Sequence, residues 1–305
     1  MPPAGAVGGT SRGQSAAPLA AQERPGHTPS VVTRSCDALV RALGAGSLLG
    51  VLLVSLGAAA AEPELAVGEC VVVQALDGAE ERVFGGDECE RRTLPASTFK
   101  VPHALIALDT GVLSASTVMK WDGKDQPFKV WERDQTLESA IRSSVVWFFQ
   151  RAAQSIGRER ELEHLRGFGY GSQSFKGKVE TFWLTGDLQI SPREQVAFLR
   201  RMFTHELPVD RRHVDAVGAA LTMPAGKVVN ASGEHVFPLA WPRGTVARLK
   251  TGNGSVAGER VSWLIGELES GGHAYVFASR VRSTLLLRTT AGTDLAARVL
   301  NTLTP

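Results

Sequence analysis

The chain has 305 residues, 43% of them hydrophobic, and its 33 Lys and Arg against 31 Asp and Glu leave a formal net charge of +2. That length and apolar content suit one large globular unit or two intimate sub-domains rather than a disordered chain. The basic residues are scattered among acidic ones instead of forming a stripe, which excludes nucleic acid as a partner.

In chain order, residues 1–30 are rich in Gly, Ala, Pro, Ser and Gln and lack an apolar run, so they read as a disordered or untranslated extension. Arg34 and Arg41 precede an apolar run over residues 43–61 that ends in Ala59-Ala60-Ala61. Positive, apolar and small-residue parts in that order predict a secretory signal peptide cleaved near Ala61, so that residues 1–61 are removed and 62–305 form the working domain. A retained membrane anchor is the other reading; the shortness of the run and its interruption by Gly44, Gly46, Gly50 and Gly57 count against it. A signal preceded by polar sequence also predicts a translation start near Val31 or Val32. Export implies a periplasmic or secreted, oxidising location. Of the three cysteines, Cys36 falls in the signal, leaving Cys70 and Cys89 as an even pair, either a disulfide or two buried thiols.

Residues 70–75 are a β-branched run, with Arg82-Val83-Phe84 as a hairpin partner across the Asp77-Gly78 turn. From Ser97 the apolar period becomes helical, through Phe99, His103, Ala104, Ile106 and Ala107 to a stop at Gly111. Residues from about 113 to 207 carry helical patterns, among them a single helix over 137–156 ended by Gly157. Ser191-Pro192-Arg193-Glu194 reads as a capping box with proline at the first helical position. Residues 245–250, 261–268 and 274–281 are expected to be neighbouring strands, the last two joined across Ser270-Gly271-Gly272, with a closing amphipathic helix over 293–303. The expected fold class is α+β, an antiparallel sheet flanked by helices with an inserted all-helical sub-domain.

Ser97-Thr98-Phe99-Lys100 is the only Ser-x-x-Lys in the chain. On a helix, positions i and i+3 share a face with Cβ atoms about 5–6 Å apart, so the amine can reach the hydroxyl. Serine needs such a base to become a nucleophile, and lysine can serve only if it is desolvated or chemically modified. Ser144-Val145-Val146, read as helical, supplies a second hydroxyl for proton transfer. Lys250-Thr251-Gly252 closes a strand, with Lys250 as a cation for an anionic substrate and Gly252 allowing close backbone approach. His205-Glu206 lacks the second histidine of a zinc helix, and the seven histidines show no ligand spacing, so no metal is expected. No glycine-rich phosphate loop follows a strand.

These three motifs in this order resemble the penicillin-recognising serine enzymes, specifically the class D (oxacillinase-type) β-lactamases. The likeness extends to Pro95-Ala96, Trp131-Glu132-Arg133-Asp134, Trp147, Phe182-Trp183-Leu184 and Gln189-Ile190-Ser191-Pro192, and so spans the working domain. The resemblance implies hydrolysis of the β-lactam ring of penicillin-type antibiotics through a Ser97 acyl-enzyme. It implies that Lys100 is N-carboxylated by CO2 or bicarbonate and acts as the general base for acylation and deacylation. Trp183 would hold that group, with Val146, Phe99 and Leu184 as walls. Ser144 would pass the proton to the lactam nitrogen and Lys250 would ease that transfer. Thr251, Gly252, Asn253 and Arg288 would bind substrate, Arg288 through its carboxylate, and the amides of Ser97 and Asn253 would form the oxyanion hole. No further cofactor is implied, no nucleic acid and no stable membrane association after signal cleavage; the chain would act as a monomer or homodimer.

Two other functions share these motifs. One is a β-lactam sensor that stays acylated, against which the resemblance sets Val146. The other is a penicillin-binding transpeptidase or carboxypeptidase, against which it sets Trp183-Leu184. The sequence also departs from the family's phrasing at Tyr170-Gly171-Ser172, where an amide is expected third, at Asn253-Gly254, where an aromatic is common, and at Ser262-Trp263-Leu264-Ile265-Gly266. The last is a reduced form of a tryptophan-rich strand.

Overall fold

The structure, a computed structural model, describes residues 62–78 and 81–303. The readings of a signal segment, its cleavage and the translation start lie outside the described residues. Among the described residues no helix is long and apolar enough to cross a membrane.

The chain begins with β1 (Glu69–Ala75) and β2 (Arg82–Phe84), which pair as the expected hairpin with Val72 opposite Val83. A 3₁₀ turn over Gly86–Cys89 brings Cys89 back to Cys70, and the two are joined by a disulfide. A second 3₁₀ turn, Ala96–Phe99, runs directly into α1 (Lys100–Asp109). The next region is helical but for the short pair β3 (Val118–Met119) and β4 (Gln135–Thr136). Its helices are α2 (Leu137–Arg142), α3 (Val146–Ile156), α4 (Arg158–Phe168), α5 (Phe182–Thr185), α6 (Pro192–Phe203) and α7 (Arg211–Leu221). A small hairpin, β5 (Lys227–Asn230) and β6 (Gly233–Val236), precedes three long strands, β7 (Val246–Val256), β8 (Glu259–Ser270) and β9 (His273–Ser283). Helix α8 (Ala291–Leu300) closes the fold.

The main sheet has five antiparallel strands in the order β2-β1-β9-β8-β7, so the first and last parts of the chain meet at its centre. Both faces are buried, and alternation along each strand decides which residue goes where. Val71, Val73, Leu264 and Phe277 pack with Leu295 and Val299 of α8. Their neighbours Val72, Trp263, Ile265 and Ala278 face the helical region and share its core. The α+β class with an inserted helical part is therefore the observed architecture. Helix α1 lies in the middle of this core with every residue from Lys100 to Leu108 buried, so it is covered on all sides.

Two expectations change. The single helix over residues 137–156 is two helices, α2 and α3, interrupted at Ser143-Ser144-Val145. The break is a Schellman closure of α2: Val145 N–H donates to Ala140 O at 2.9 Å and Ser144 N–H to Ile141 O at 3.2 Å. Ser144 stands at the left-handed position of that closure, φ +58°, where glycine is usual. The second change concerns Lys250-Thr251-Gly252, which does not end a strand but lies in the middle of β7. The capping box at Ser191 and Glu194 is present with both of its hydrogen bonds and with Pro192 at the helix start.

Candidate active site

The site forms where β7 meets the turn that carries Ser97. Along β7, Lys250, Gly252 and Gly254 fall on one face because side chains alternate. Without side chains at two of those positions, the turn can lie directly on the strand. A Cβ on Gly252 would stand 2.8 Å from Thr98 Cγ2 and 3.0 Å from Pro95 O, and one on Gly254 would stand 2.6 Å from Leu94 Cδ2. From the next strand, the indole of buried Trp263 donates to Leu94 O at 3.0 Å and pins the approach to the turn. The turn is held from behind by a chain of polar contacts that sequence reasoning missed. Tyr170 O–H donates to Gln195 Oε1 at 3.4 Å, Gln195 Nε2 donates to Thr98 Oγ1 at 2.8 Å, and Thr98 O–H donates to Pro95 O at 2.7 Å. Ala96, just before the nucleophile candidate, has φ +49°. Unfavourable backbone at both Ala96 and Ser144 is the kind of local strain that surrounding packing must sustain at a functional site.

Within that frame the four central residues meet as two pairs. Lys100 Nζ donates to Ser97 Oγ at 2.8 Å, and Lys250 Nζ donates to Ser144 Oγ at 2.9 Å and to Thr251 O at 3.0 Å. Both lysines are buried to within 1% of exposure. Burial, and after it the charge of Lys250, holds the Lys100 amine well below the ordinary lysine range. Burial alone pushes the Lys250 amine down to about 7. The same dry surroundings thus ease loss of the proton from both lysines of the serine pair. The ammonium position of Lys100 lies 5.6 Å from the Phe149 ring centre, a wall the sequence did not reveal.

The hydroxyls of Ser97 and Ser144 open on a cleft of about 220 Å³. Val146, Leu184, Thr251 and Asn253 line it as expected, joined by Phe128, Trp131 and the Asn230-Ala231-Ser232 turn of the β5–β6 hairpin. The Trp131 indole donates to Ser143 O at 2.8 Å and the Trp147 indole to Trp131 O at 3.0 Å, so the two tryptophan-bearing segments brace the loop that presents Ser144.

Phe99, Trp183 and Arg288 do not line this cleft. Phe99 is fully buried behind it, stacked on Trp183 at 5.7 Å. Trp183 is also fully buried, and its Nε1 has no hydrogen-bond partner among the described residues. Arg288 is 81% exposed, pairs with Asp294 at 2.9 Å, and lines a shallower neighbouring pocket with Asn253, Gly254 and Thr289. Thr289 reaches both pockets and Gly252 supports Thr98 from the rear. Ser172 donates its amide to Gln189 O and accepts from Gln189 N–H, fixing a loop away from the two pairs. Among the described residues no three His, Cys, Asp or Glu side chains are grouped to hold a metal ion.

The profile of the penicillin binding protein transpeptidase domain matches residues 75–304. Beta-lactamase OXA-48 of Klebsiella pneumoniae is 36% identical over 186 residues, which is 61% of this chain and 64% of that protein. The chain thus spans less than two thirds of the length of this curated relative. Among solved structures, the class D beta-lactamase YbXI from Nostoc superposes with a TM-score of 0.68 at 29% identity, covering 77% of this chain and 93% of the other. The C-terminal domain of the Bacillus licheniformis BlaR penicillin-receptor superposes with a TM-score of 0.67 at 27% identity, covering 76% and 88%. With its paired lysines and serines, its sheet order and these likenesses, the chain belongs to the penicillin-binding transpeptidase family, on the class D β-lactamase branch.

Proposed function

We propose that this protein hydrolyses the β-lactam ring of penicillin-type antibiotics through an acyl-enzyme on Ser97. The observation that carries the reading is the 2.8 Å contact between Lys100 Nζ and Ser97 Oγ in a pocket whose burial holds the amine well below the ordinary lysine range. Ser97 Oγ attacks the lactam carbonyl, the carbon–nitrogen bond breaks, and the ring nitrogen takes up a proton through Ser144, whose oxygen Lys250 holds at 2.9 Å. Water then cleaves the Ser97 ester and restores the hydroxyl. The amides of Ser97 and Asn253 are the donors for the oxyanion, and Arg288 is the partner for the substrate carboxylate.

The orphaned Nε1 of Trp183, a fully buried donor on a ring that stacks on Phe99 beside Lys100 in the chain, supports an N-carboxylated Lys100. A neutral amine takes up CO2 with loss of one proton, and the resulting carbamate supplies a general base for both acylation and deacylation. Trp183 and Ser97 are the residues that would hold it.

The likeness to a penicillin-receptor domain favours a second reading, a sensor that is acylated and stays so. Purified residues 62–305, incubated with benzylpenicillin and a chromogenic cephalosporin in the presence of bicarbonate, separate the two. Hydrolysis is expected to continue over many turnovers; a stable mass adduct without turnover would sink it in favour of the sensor. We further propose export to the periplasm, which N-terminal sequencing of the mature protein near Glu62 tests; a mature protein still bearing residues 1–61 refutes it.

A further inference from the structure

One turn beyond Lys100 on α1, a histidine occupies an otherwise aromatic shell. His103 is fully buried, and its ring lies 5.1 Å from Trp183 edge-on, 5.2 Å from Phe99 and 5.5 Å from Phe149. Of these rings Phe149 lies 5.6 Å from Lys100 Nζ, and Phe99, the residue before Lys100, stacks on Trp183. From the other side Glu161 of α4, equally buried, brings Oε1 to 2.8 Å from His103 Nε2. The approach is too oblique for an aligned hydrogen bond, and His103 Nδ1 has no partner among the described residues. Buried polar atoms left in this condition are costly, and well-packed apolar residues of similar volume are often at least as stable as such a pair. Packing alone does not account for it, and none of the lactam-cleaving steps proposed above employs it.

We infer that the His103–Glu161 pair is a positioning device for the lysine pocket. Glu161 fixes the imidazole, and the imidazole fixes the indole of Trp183. The back of the pocket then carries two unpartnered ring nitrogens, His103 Nδ1 and Trp183 Nε1, instead of one. The pair sets how firmly Lys100 retains CO2, a role that rests on the carboxylation proposed above. Supporting groups one layer behind a reactive centre commonly alter its affinity by roughly ten- to a hundredfold.

The test uses a double substitution, His103→Phe with Glu161→Leu, which replaces both buried polar groups together by apolar ones and so preserves folding. Glu161→Gln, which keeps the shape, is the second variant. Carbon-13 NMR of protein equilibrated with labelled bicarbonate counts the lysine carbamate without reference to turnover. Half-occupancy is expected to require roughly tenfold more bicarbonate in both variants, with KM for penicillin unchanged once bicarbonate is saturating. Half-occupancy at the same bicarbonate concentration in the folded variants overturns the inference and leaves Lys100 carboxylation standing. Absence of a carbamate resonance in the unsubstituted protein removes that reading, and the inference with it.

Discussion

Ser144 occupies the left-handed closing position of α2 and from there receives a 2.9 Å hydrogen bond from Lys250 in the middle of β7. A glycine would relieve the backbone but would leave Lys250 facing an empty site, so conformational ease and chemistry oppose each other at this residue.

That opposition can be measured by comparing Ser144→Gly with Ser144→Ala. Both lose the hydroxyl, and turnover of a penicillin is expected to fall by roughly 10²-fold or more in each, the usual cost of losing a proton-transfer group. Only glycine is relieved of the left-handed strain, so urea unfolding should find it more stable than the alanine variant by about 1 kcal/mol. Equal stabilities would mean that the break between α2 and α3 stores no strain.

Lys250 supplies a pH dependence with a definite sign. Its amine, held down to about 7, is cationic below that value and neutral above it. KM for an anionic penicillin is therefore expected to rise as the pH passes upward through about 7. In Lys250→Arg, whose charge persists, that limb should vanish. Stability changes in the same window: between about pH 7 and the ordinary lysine value of 10.5 the unfolded chain binds the proton and the folded one does not. Stability gains from this group as pH rises across that range, and the gain is absent below it. A KM that is flat from pH 6 to pH 8 would contradict the assignment of Lys250 as substrate cation.

Gly252→Ala tests the contact between β7 and the nucleophile turn. Its Cβ would lie 2.8 Å from Thr98 Cγ2 and 3.0 Å from Pro95 O, against a turn that Gln195 holds from behind. Overpacking of this kind costs about 1–3 kcal/mol, and kcat should fall because Ser97 shifts relative to Lys250. A variant with parental kcat and parental urea midpoint would show that the turn gives way freely.

Arg288 stands outside the main cleft, 81% exposed and paired with Asp294. Arg288→Ala is expected to raise KM for penicillin several-fold with little change in kcat, and to alter stability by less than about 1 kcal/mol, since exposed ion pairs contribute little. An unchanged KM would confine this arginine to its contact with Asp294.

Much of the site was legible in the sequence because its chemistry is local. Ser97 and Lys100 are three residues apart at a helix start, a spacing that puts the amine within reach of the hydroxyl, and in the structure the two stand 2.8 Å apart. The capping box at Ser191 and the hairpin of residues 70–75 with 82–84 were equally local, and both formed as their spacing predicts. The two-helix break was hidden because Ser143-Ser144-Val145 carries no glycine or proline, the residues by which such stops are recognised. The course of β7 through Gly252 and Gly254 was hidden for the converse reason. Glycine weakens a strand pattern, yet here its lack of a side chain is what lets Leu94, Pro95 and Thr98 lie against the strand.

By itself, then, the sequence determined the α+β class, the Cys70 and Cys89 pair as candidates for oxidation, and the residue types and order of the reactive groups. Tertiary structure decided how those groups are charged and with whom they meet. Lys100 and Lys250, 150 residues apart in number, become neutral-prone only because α1 and β7 are enclosed in one dry core. Phe149, Gln195 and Glu161 reach that core from α3, α6 and α4, and no local pattern marks them. Desolvation is a property of everything that surrounds an amine, so it exists only once the chain has folded.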